Sequence, residues 1–447
     1  MKTFLERAKE SALDVRSDRL DRADTLALLS THAQKFRTLN LAYDSWSGIR
    51  RFSEVAPGPL PLLRTLEINV LGFGRPGPET MNRPPPLFSG AVNLKKFTLH
   101  SEGMPFLNHF VFPNLNTFEL SAIPVNAEFH VSQLLDFLEA SPTLRTVHIR
   151  IEAGILLDVP PERVIVLPNI EVFSVIQDEP GYGIAAHISC PSARLTSLLR
   201  EQYFEDRILQ EVFPTSVSWN AIGPQHMAGT IDEVALEITT AAKTTVSCSL
   251  SFSSSGPATL GLGYRMIAGD EPLDEARSSL GEKHSHVFSQ ASRAVREHPL
   301  LSDVKRLRIR DRHRSLARHQ LERIAEEAAR LFRFVGPLEE LILDVNDLRP
   351  FLSPFFDPPK SQALLQPDPL PLIKRLTITE PSDSPLNGEC VAAIVGFVKS
   401  QHMRGVPIEL ASLHTKLPPV GMAERLGPWV GTLHFDGVIE GDDQELM

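Results

Sequence analysis

The chain has 447 residues, of which 42% are hydrophobic, and a formal net charge of −10 at pH 7. This hydrophobic content is typical of a folded globular chain. The acidic balance excludes a general attraction to nucleic acids or anionic membranes, because both are polyanions.

The cysteines and the N-terminal residues indicate a compartment. Cys190, Cys248 and Cys390 are odd in number, far apart and free of any C-x-x-C pair, which is typical of a reducing environment. Residues 1–7 carry charge at once and lack the apolar core of a signal peptide. The apolar run 390–398 is too short to span a bilayer. We therefore expect a cytoplasmic or nuclear protein.

Residues 1–36 are predicted to form an N-terminal helical cap. Leu26, Leu29, Ala33 and Phe36 recur at helical spacing and form one apolar stripe. A repeat protein needs such a cap, because its first strand has no preceding neighbour.

One six-residue phrase, Leu-x-x-Leu-x-Leu with Val, Ile or Phe as substitutes, recurs along the rest of the chain. It occurs at 36–41, 63–68, 94–99, 115–120, 144–149, 170–175, 231–236, 304–309, 338–343, 373–378 and 430–435. The first six copies begin 21 to 31 residues apart, which is the period of a leucine-rich repeat. Each copy predicts a short strand whose last two apolar residues point into the core. The predicted core includes Leu66, Ile68, Phe118, Leu120, Leu307, Ile309, Leu341, Leu343, Leu376 and Ile378.

The segments between the strands are predicted from their periodicity and proline content. Residues 132–140, 321–335 and 391–398 show helical spacing. Prolines precede many of the strands and mark the turns into them. The proline-rich segments 75–86 and 351–371 are predicted as surface loops.

The period fails in the middle of the chain. Val246, Cys248, Leu250 and Phe252 alternate with serine, which predicts one further strand within a loop-rich stretch at about 239–280. We predict one continuous solenoid over 37–447 rather than two domains. The fold class is therefore α/β, a leucine-rich-repeat horseshoe with parallel strands on the concave face and helices or loops outside.

A glycine motif raises the question of a nucleotide cofactor. Gly72, Gly74 and Gly77 match G-x-G-x-x-G after a strand. Pro76 and Pro78 oppose the helix whose N-terminus must face a pyrophosphate, so we interpret this segment as a loop.

The close histidine pairs are His284 with His286 and His313 with His319. Helix positions two apart do not share a face, so we expect solvated helix histidines rather than metal ligands. The chain has no H-E-x-x-H, G-x-S-x-G or P-loop motif. We therefore expect no cofactor, no metal and no enzymatic activity.

The highest local concentration of positive charge lies on an arginine-rich strand. If Leu307 and Ile309 face the core, Arg306, Arg308 and Arg310 lie on the opposite side of the same strand, the concave side of a leucine-rich repeat. This side is predicted as a partner-binding surface, because arginine can hold a carboxylate with two hydrogen bonds. The alternative is an ordinary solvated strand.

Acidic residues on neighbouring repeats complete this predicted surface. Glu237 and Asp344 occupy equivalent positions beside the three arginines. Other positions of the same face carry both signs or histidine: Glu67, Glu119, Asp436, His100, His148, His434 and Arg150. Mixed charge favours a protein or peptide partner over nucleic acid. In a rival interpretation, the acids simply neutralise the arginines within the protein.

The repeats and their prolines resemble the C-terminal region of the fungal F-box leucine-rich-repeat proteins. Residues 4–15, FLERAKESALDV, are similar to a phrase that often follows the F-box in that family. The resemblance implies a substrate-recognition region of a cullin-RING ubiquitin ligase. It names no substrate.

The F-box itself, which docks on a Skp-type adaptor in that family, is not found in this sequence. We therefore expect either part of a longer F-box protein or a chain without the adaptor-binding half. The resemblance implies a Skp-type adaptor as a partner only in the first case. The alternative function is a free-standing leucine-rich-repeat scaffold or inhibitor with no link to a ligase.

Overall fold

A computed structural model shows the arrangement of most of the chain. It describes residues 11–18, 29, 31–55, 59–71, 87–88, 90–102, 106–123, 129–152, 155–177, 183–203, 231–241, 245–254, 259–267, 284, 286–293, 295–296, 304–311, 318–335, 338–356, 370–380, 386–415 and 421–436. The chain divides into two compact units, unit 1 with residues 1–201 and 221–228 and unit 2 with residues 202–220 and 229–447. The prediction that both belong to one continuous solenoid stays a prediction.

Unit 1 consists mainly of short strands. Its elements are β1 (Leu13–Asp18), β2 (Phe36–Tyr43), α1 (Trp46–Val55), β3 (Thr65–Val70), β4 (Lys96–Ser101), β5 (Thr117–Ala122), β6 (Phe129–His130), α2 (Val131–Glu139), β7 (Thr146–Ile151), β8 (Ile155–Leu156), β9 (Ile165–Val166), β10 (Val172–Gln177), α3 (Gly183–Ala186), β11 (Ile188–Ser189) and β12 (Leu195–Tyr203), with 3-10 turns at Ala33–Lys35 and Leu107–His109.

The long strands of unit 1 form one parallel sheet in the order β1-β2-β3-β4-β5-β7-β10-β12. The register places the same position of the phrase side by side in successive strands, as with Leu66, Phe97 and Phe118. Inward residues therefore stack in continuous rows, because side chains alternate between the two faces of a strand.

Aromatic rings fill the core of unit 1 around Phe97, which is fully buried. Its ring lies 4.9 Å from that of Phe110, 5.1 Å from Phe112, 5.8 Å from Phe118 and 6.0 Å from Phe137, measured between centroids. These contacts tie β4 to β5, to α2 and to the segment that enters β5.

A ladder of side-chain hydrogen bonds joins the turns that enter successive strands of unit 1. Asn93 donates to the Pro61 carbonyl at 2.8 Å, Asn114 to the Val92 carbonyl at 2.9 Å, Thr143 to the Pro113 carbonyl at 3.1 Å and Asn169 to the Pro142 carbonyl at 3.0 Å. Each donor immediately precedes its phrase and bonds the residue before the equivalent position in the previous repeat. The ladder gives turn carbonyls a partner that the sheet does not provide.

Unit 2 combines longer helices with its strands. Its elements are β13 (Ile231–Ala241), β14 (Thr245–Ser254), β15 (Thr259–Ile267), β16 (Arg306–Asp311), α4 (Arg318–Phe334), β17 (Glu340–Val345), α5 (Arg349–Leu352), β18 (Arg375–Thr379), α6 (Gly388–Met403), β19 (Ile408–His414), α7 (Met422–Leu426) and β20 (Val430–Asp436), with 3-10 turns at Ser353–Phe355 and Gly427–Trp429. Residues 286–293 are also helical.

The strands of unit 2 lie in the order β15-β14-β13-β16-β17-β18-β19-β20. The first three are antiparallel, and β13 onward are parallel. The core is again built from stacked phrase positions, as with Leu307, Leu341 and Leu376, all fully buried. The chain is thus a mixed α/β protein in which parallel strands predominate.

In all eleven copies of the phrase the last four residues lie on a strand, which confirms the strand predictions. The ten predicted core residues are all buried. The three predicted helices correspond to α2, α4 and α6. No helix among the described residues is long and apolar enough to cross a membrane.

The prediction of helix over residues 1–36 was wrong at Leu13–Asp18, which forms β1 and pairs in parallel with β2. In the apolar stripe, Ala33 belongs to a 3-10 turn and Phe36 begins β2. Leu26 lies outside the described residues. The apolar stripe begins only at Leu26, so it carried no information about residues 13–18, where pairing with β2 gives the backbone its partners.

In the expected loop-rich stretch, all the residues that the structure describes, 239–241, 245–254 and 259–267, are strand. The strand through Cys248 is confirmed as β14, but β15 follows it and pairs with it over Thr259–Ile267. Leu260 and Leu262 alternate with Gly261 and Gly263 there, and the glycines made a strand pattern resemble a loop.

The proline-rich loop predictions have a mixed outcome. Residues 351–355 of the second segment are helical instead, in α5 and the 3-10 turn that follows. Residues 72–86, which include the glycine motif and the first proline-rich segment, lie outside the described residues, as do residues 357–369.

Candidate functional site

Strands β13, β16 and β17 bring the five predicted surface residues together on one face of unit 2. Leu307 and Ile309 are fully buried, so the alternating arginines of β16 point away from the core. The register places Arg310 between Glu237 and Asp344. The predicted side-chain directions are confirmed, whereas the binding of a partner stays a prediction.

Three rows of side chains cross this surface, which we call the charged face. The first row is Glu233, Arg306, Glu340 and Arg375, the middle row is Ala235, Arg308, Ile342 and Thr377, and the third row is Glu237, Arg310, Asp344 and Thr379. Each row runs across β13, β16, β17 and β18, so its members are direct neighbours on adjacent strands.

Acids and arginines alternate along the first row. Arg306 contacts Glu233 and Glu340, each at 2.9 Å between nitrogen and oxygen, and Arg375 contacts Glu340 at 3.3 Å. The hydrogen bonds that Arg306 donates to Glu233 and to Glu340 raise its pKa above the usual range despite partial burial. The guanidinium of Arg306 is thus held between two carboxylates.

The third row repeats this arrangement around Arg310. Its guanidinium lies 2.7 Å from Asp344 and 3.3 Å from Glu237. Burial opposes the charge of Arg310, but the hydrogen bond to Asp344 and the charge of both acids raise its pKa. The side chain of Asp344 is itself buried.

The middle row differs from the other two. Arg308 has Ala235 on one side and Ile342 on the other, neither of which can form an ion pair. Its contact with Glu233 is 3.7 Å long, the longest ion pair made by the four arginines of the charged face. Half of its side chain, 51%, remains exposed. The guanidinium of Arg308 is therefore the least neutralised of the four.

These distances bear on the rival interpretation of the arginine cluster. For Arg306 and Arg310, acids within the protein do neutralise the positive charge. For Arg308 the acid neutralises the charge less, because the ion pair with Glu233 is 3.7 Å long. The predicted five-residue surface is thus one weakly paired arginine, Arg308, beside two arginines that are held in internal ion pairs.

Sequence reasoning missed Glu233, Glu340 and Arg375 as members of this surface. The signal was present, because each occupies the third position of its copy of the phrase, as Arg306 does. Alignment of the four phrases would have shown acid, arginine, acid and arginine in consecutive repeats.

A second polar cluster lies in unit 1 and contains the residue types of a hydrolase triad. Asp158 accepts hydrogen bonds from the Ser132 backbone at 2.9 Å and from the Ser132 hydroxyl, and its carboxylate lies 3.0 Å from His130 Nδ1. In a triad the histidine lies between the other two residues, but here the aspartate does. Asp158 instead caps the N-terminus of α2, where free backbone N–H groups need acceptors.

The predicted solvated histidines differ in their surroundings. His284 is fully buried, with Nε2 3.0 Å from Asp311, so the expectation of solvent exposure was wrong for this residue. His286 is partly buried, and burial together with the charge of Arg323 lowers its pKa. His319 is exposed, and His313 lies outside the described residues. Among the described residues, no group of three or more His, Cys, Asp or Glu could hold a metal ion.

The three cysteines are all free and buried. Burial raises the pKa of the Cys190 thiol to about 12. Burial, with the nearby carboxylates of Asp311 and Glu237, raises the pKa of Cys248. These thiols stay protonated at neutral pH and are poor nucleophiles, because the thiolate is the reactive form.

Comparison with known proteins adds no family assignment. No protein-family profile matches the chain, and no curated protein sequence matches it significantly.

Proposed function

We propose that the chain is a leucine-rich-repeat solenoid that acts as a non-enzymatic protein-recognition module in the cytoplasm or nucleus. Its parallel strands would form the concave binding face, and its helices and loops the outer surface. In this proposal it resembles the substrate-binding part of an F-box protein of a cullin-RING ubiquitin ligase. The partner is a protein, and no cofactor takes part.

One observation carries this proposal: the mixed-charge surface on the side of the strands that faces away from the core of unit 2. Regular repeats fix the spacing of its rows, while the outward positions vary in charge from strand to strand. Such a surface suits a folded protein or a peptide, for which complementary charge sets specificity. A nucleic-acid groove would be basic along its length.

The second candidate function is a free-standing scaffold or inhibitor with no ligase. The mixed charge of the charged face supports this function as well, because it favours a protein partner and does not depend on a ligase.

Affinity capture from native extract, followed by mass spectrometry, tests both functions. The whole chain is immobilised, and capture is performed at physiological salt. Recovery of a Skp-type adaptor and a cullin together with a client protein supports the ligase receptor. Recovery of a client without ligase components supports the scaffold. If no protein is enriched over a bead control, the recognition function is contradicted.

A further inference from the structure

The middle row of the charged face combines an exposed cation with an apolar surface. Arg308 lies between Ala235 and Ile342, and all three side chains are at least partly exposed. Ala235 carries only a methyl group, so it leaves space beside the guanidinium. The result is a small apolar surface, made of the side chains of Ala235 and Ile342, with the guanidinium of Arg308 between them.

The charge of Arg308 remains available to a ligand. A guanidinium has five N–H donors, and two of them fit one carboxylate. The carboxylate that reaches Arg308 belongs to Glu233, which lies 3.7 Å away and is shared with Arg306 at 2.9 Å. Because Glu233 is closer to Arg306, it neutralises Arg308 only weakly.

The flanking rows restrict which anion can enter. Four acids against three arginines leave these rows with one net negative charge: the acids are Glu233, Glu237, Glu340 and Asp344, and the arginines are Arg306, Arg310 and Arg375. A ligand that carries several charges, such as a phosphorylated or polyanionic segment, is repelled by these acids. A ligand with a single carboxylate is repelled less by the acids. Its carboxylate can accept two hydrogen bonds from the guanidinium of Arg308.

We propose that Arg308 anchors one aspartate or glutamate side chain of a protein partner, and that an apolar residue next to this acid packs on Ala235 and Ile342. This inference rests on the proposed function and names the kind of segment that the charged face recognises. Arg306 and Arg310 hold the two flanking rows in place and do not bind the partner carboxylate.

A library of random peptides displayed on phage, panned on the whole chain, tests the proposal. Enriched peptides are expected to share one acidic residue beside a hydrophobic one. A synthetic copy of such a peptide should bind Arg308→Ala about 10- to 100-fold more weakly than the original chain, as for loss of a hydrogen bond to a charged group. Arg308→Lys should give an intermediate loss, because it keeps the charge without the fork.

Two controls make the measurement specific. Arg145→Ala removes an equally charged, 64% exposed side chain from unit 1 and should leave peptide affinity unchanged. Replacing the acid of the peptide by its amide should weaken binding to the original chain but not further weaken binding to Arg308→Ala. Circular dichroism confirms that each variant is folded.

Several results would overturn the proposal: no enriched peptide, enriched peptides without an acid, or equal affinity for Arg308→Ala. The two proposals fail separately. A client captured from extract that binds Arg308→Ala unchanged leaves the recognition function intact and removes Arg308 as its anchor. If peptides bind at Arg308 and extract yields no client, the recognition function fails instead.

Discussion

The two units build their sheets from the same phrase but support successive strands differently. In unit 1, the turns into the strands are joined by the ladder of Asn93, Asn114, Thr143 and Asn169. In unit 2, α4 and α6, with 17 and 16 residues, connect successive strands. One inward pattern is therefore compatible with two kinds of support, side-chain hydrogen bonds at the turns or helices packed against the sheet.

Their outward positions differ as well. In unit 1, Glu119 forms an ion pair with Lys96 at 2.7 Å and accepts a hydrogen bond from Thr98 at 3.1 Å. Burial opposes ionisation of Glu119, but Lys96 and Thr98 keep its pKa below the usual range. In unit 2, the row that corresponds to Glu119 contains Ala235, Arg308 and Ile342, and the ion pairs over several strands lie in the two rows beside it. The comparison shows that packing in the core restricts the inward positions to apolar residues, whereas the outward positions can differ between the two units.

The largest expected effect concerns what the units share, their stacked cores. Phe97→Ala in unit 1 should reduce the free energy of unfolding by about 3–5 kcal/mol and Leu341→Ala in unit 2 by about 2–5 kcal/mol, because both residues are fully buried. Hydrogen exchange should show the loss of protection mainly in strands next to each substitution, since repeats depend on their nearest neighbours. A loss below about 0.5 kcal/mol at either site would contradict the assigned core.

The capping of α2 by Asp158 should make the stability of unit 1 depend on pH in the acid range. Burial would raise the pKa of Asp158, but hydrogen bonds from Ser132 and His130 outweigh it and lower the pKa. A carboxylate with a lowered folded-state pKa stabilises fully above its unfolded-state pKa, and this contribution is lost as pH falls through the folded-state value. Asp158→Ala should therefore cost about 0.5–2 kcal/mol at neutral pH and progressively less in acid.

Chemical denaturation at a series of pH values measures this effect. Asp158→Asn is the matched control, because the amide oxygen still accepts from Ser132 but does not titrate. If the difference between the original chain and Asp158→Ala stays constant from neutral pH to strong acid, the capping role is wrong.

Inward strand positions were predictable from the sequence because the core demands large apolar residues at fixed spacing. The strands that escaped prediction show where this signal weakens. At β12 the buried positions are Ala193, which precedes the strand, Thr196 and Leu198, and in β19 Ala411 lies between Ile408 and Leu413. Both segments fit the phrase once a small or polar residue is allowed. Two such changes hid β12 and one hid β19, although the register of both strands is otherwise regular.

For the candidate site, the sequence predicted the direction in which the arginine side chains point but not the acids with which each arginine pairs. Alternation around Leu307 and Ile309 was enough to place three arginines on one face. Their individual partners depend on which strands are neighbours, and β13 and β16 are separated by the two strands of the β14–β15 hairpin in sequence. For that reason the weak pairing of Arg308, unlike that of Arg306 and Arg310, emerges only from the sheet register.

The turn ladder should contribute less than the core or the cap. Asn114→Ala removes the 2.9 Å hydrogen bond to the Val92 carbonyl in an exposed turn. The expected cost is about 0.5–1.5 kcal/mol, the net value of a typical protein hydrogen bond. Thr143→Ser keeps a hydroxyl donor at the next position of the ladder and serves as the control, with a smaller expected cost. Equal unfolding midpoints in urea for Asn114→Ala and the original chain would remove the ladder as a source of stability.

The smallest effects separate the arginines of the charged face. Arg306→Ala leaves Glu233 and Glu340 without their closest cation and should cost about 0.2–1 kcal/mol, the range for solvent-exposed ion pairs. The cost should shrink between about 0.1 M and about 1 M salt, because the screening length falls from about 10 Å to about 3 Å. Arg308→Ala should stay within about 0.5 kcal/mol of the original chain, because its 3.7 Å contact is long and its side chain is half exposed. Urea unfolding of both variants at the two salt concentrations measures the difference. A cost for Arg308→Ala as large as that for Arg306→Ala would mean that Arg308 belongs to the structural rows, and the argument for a ligand at this position would lose its basis.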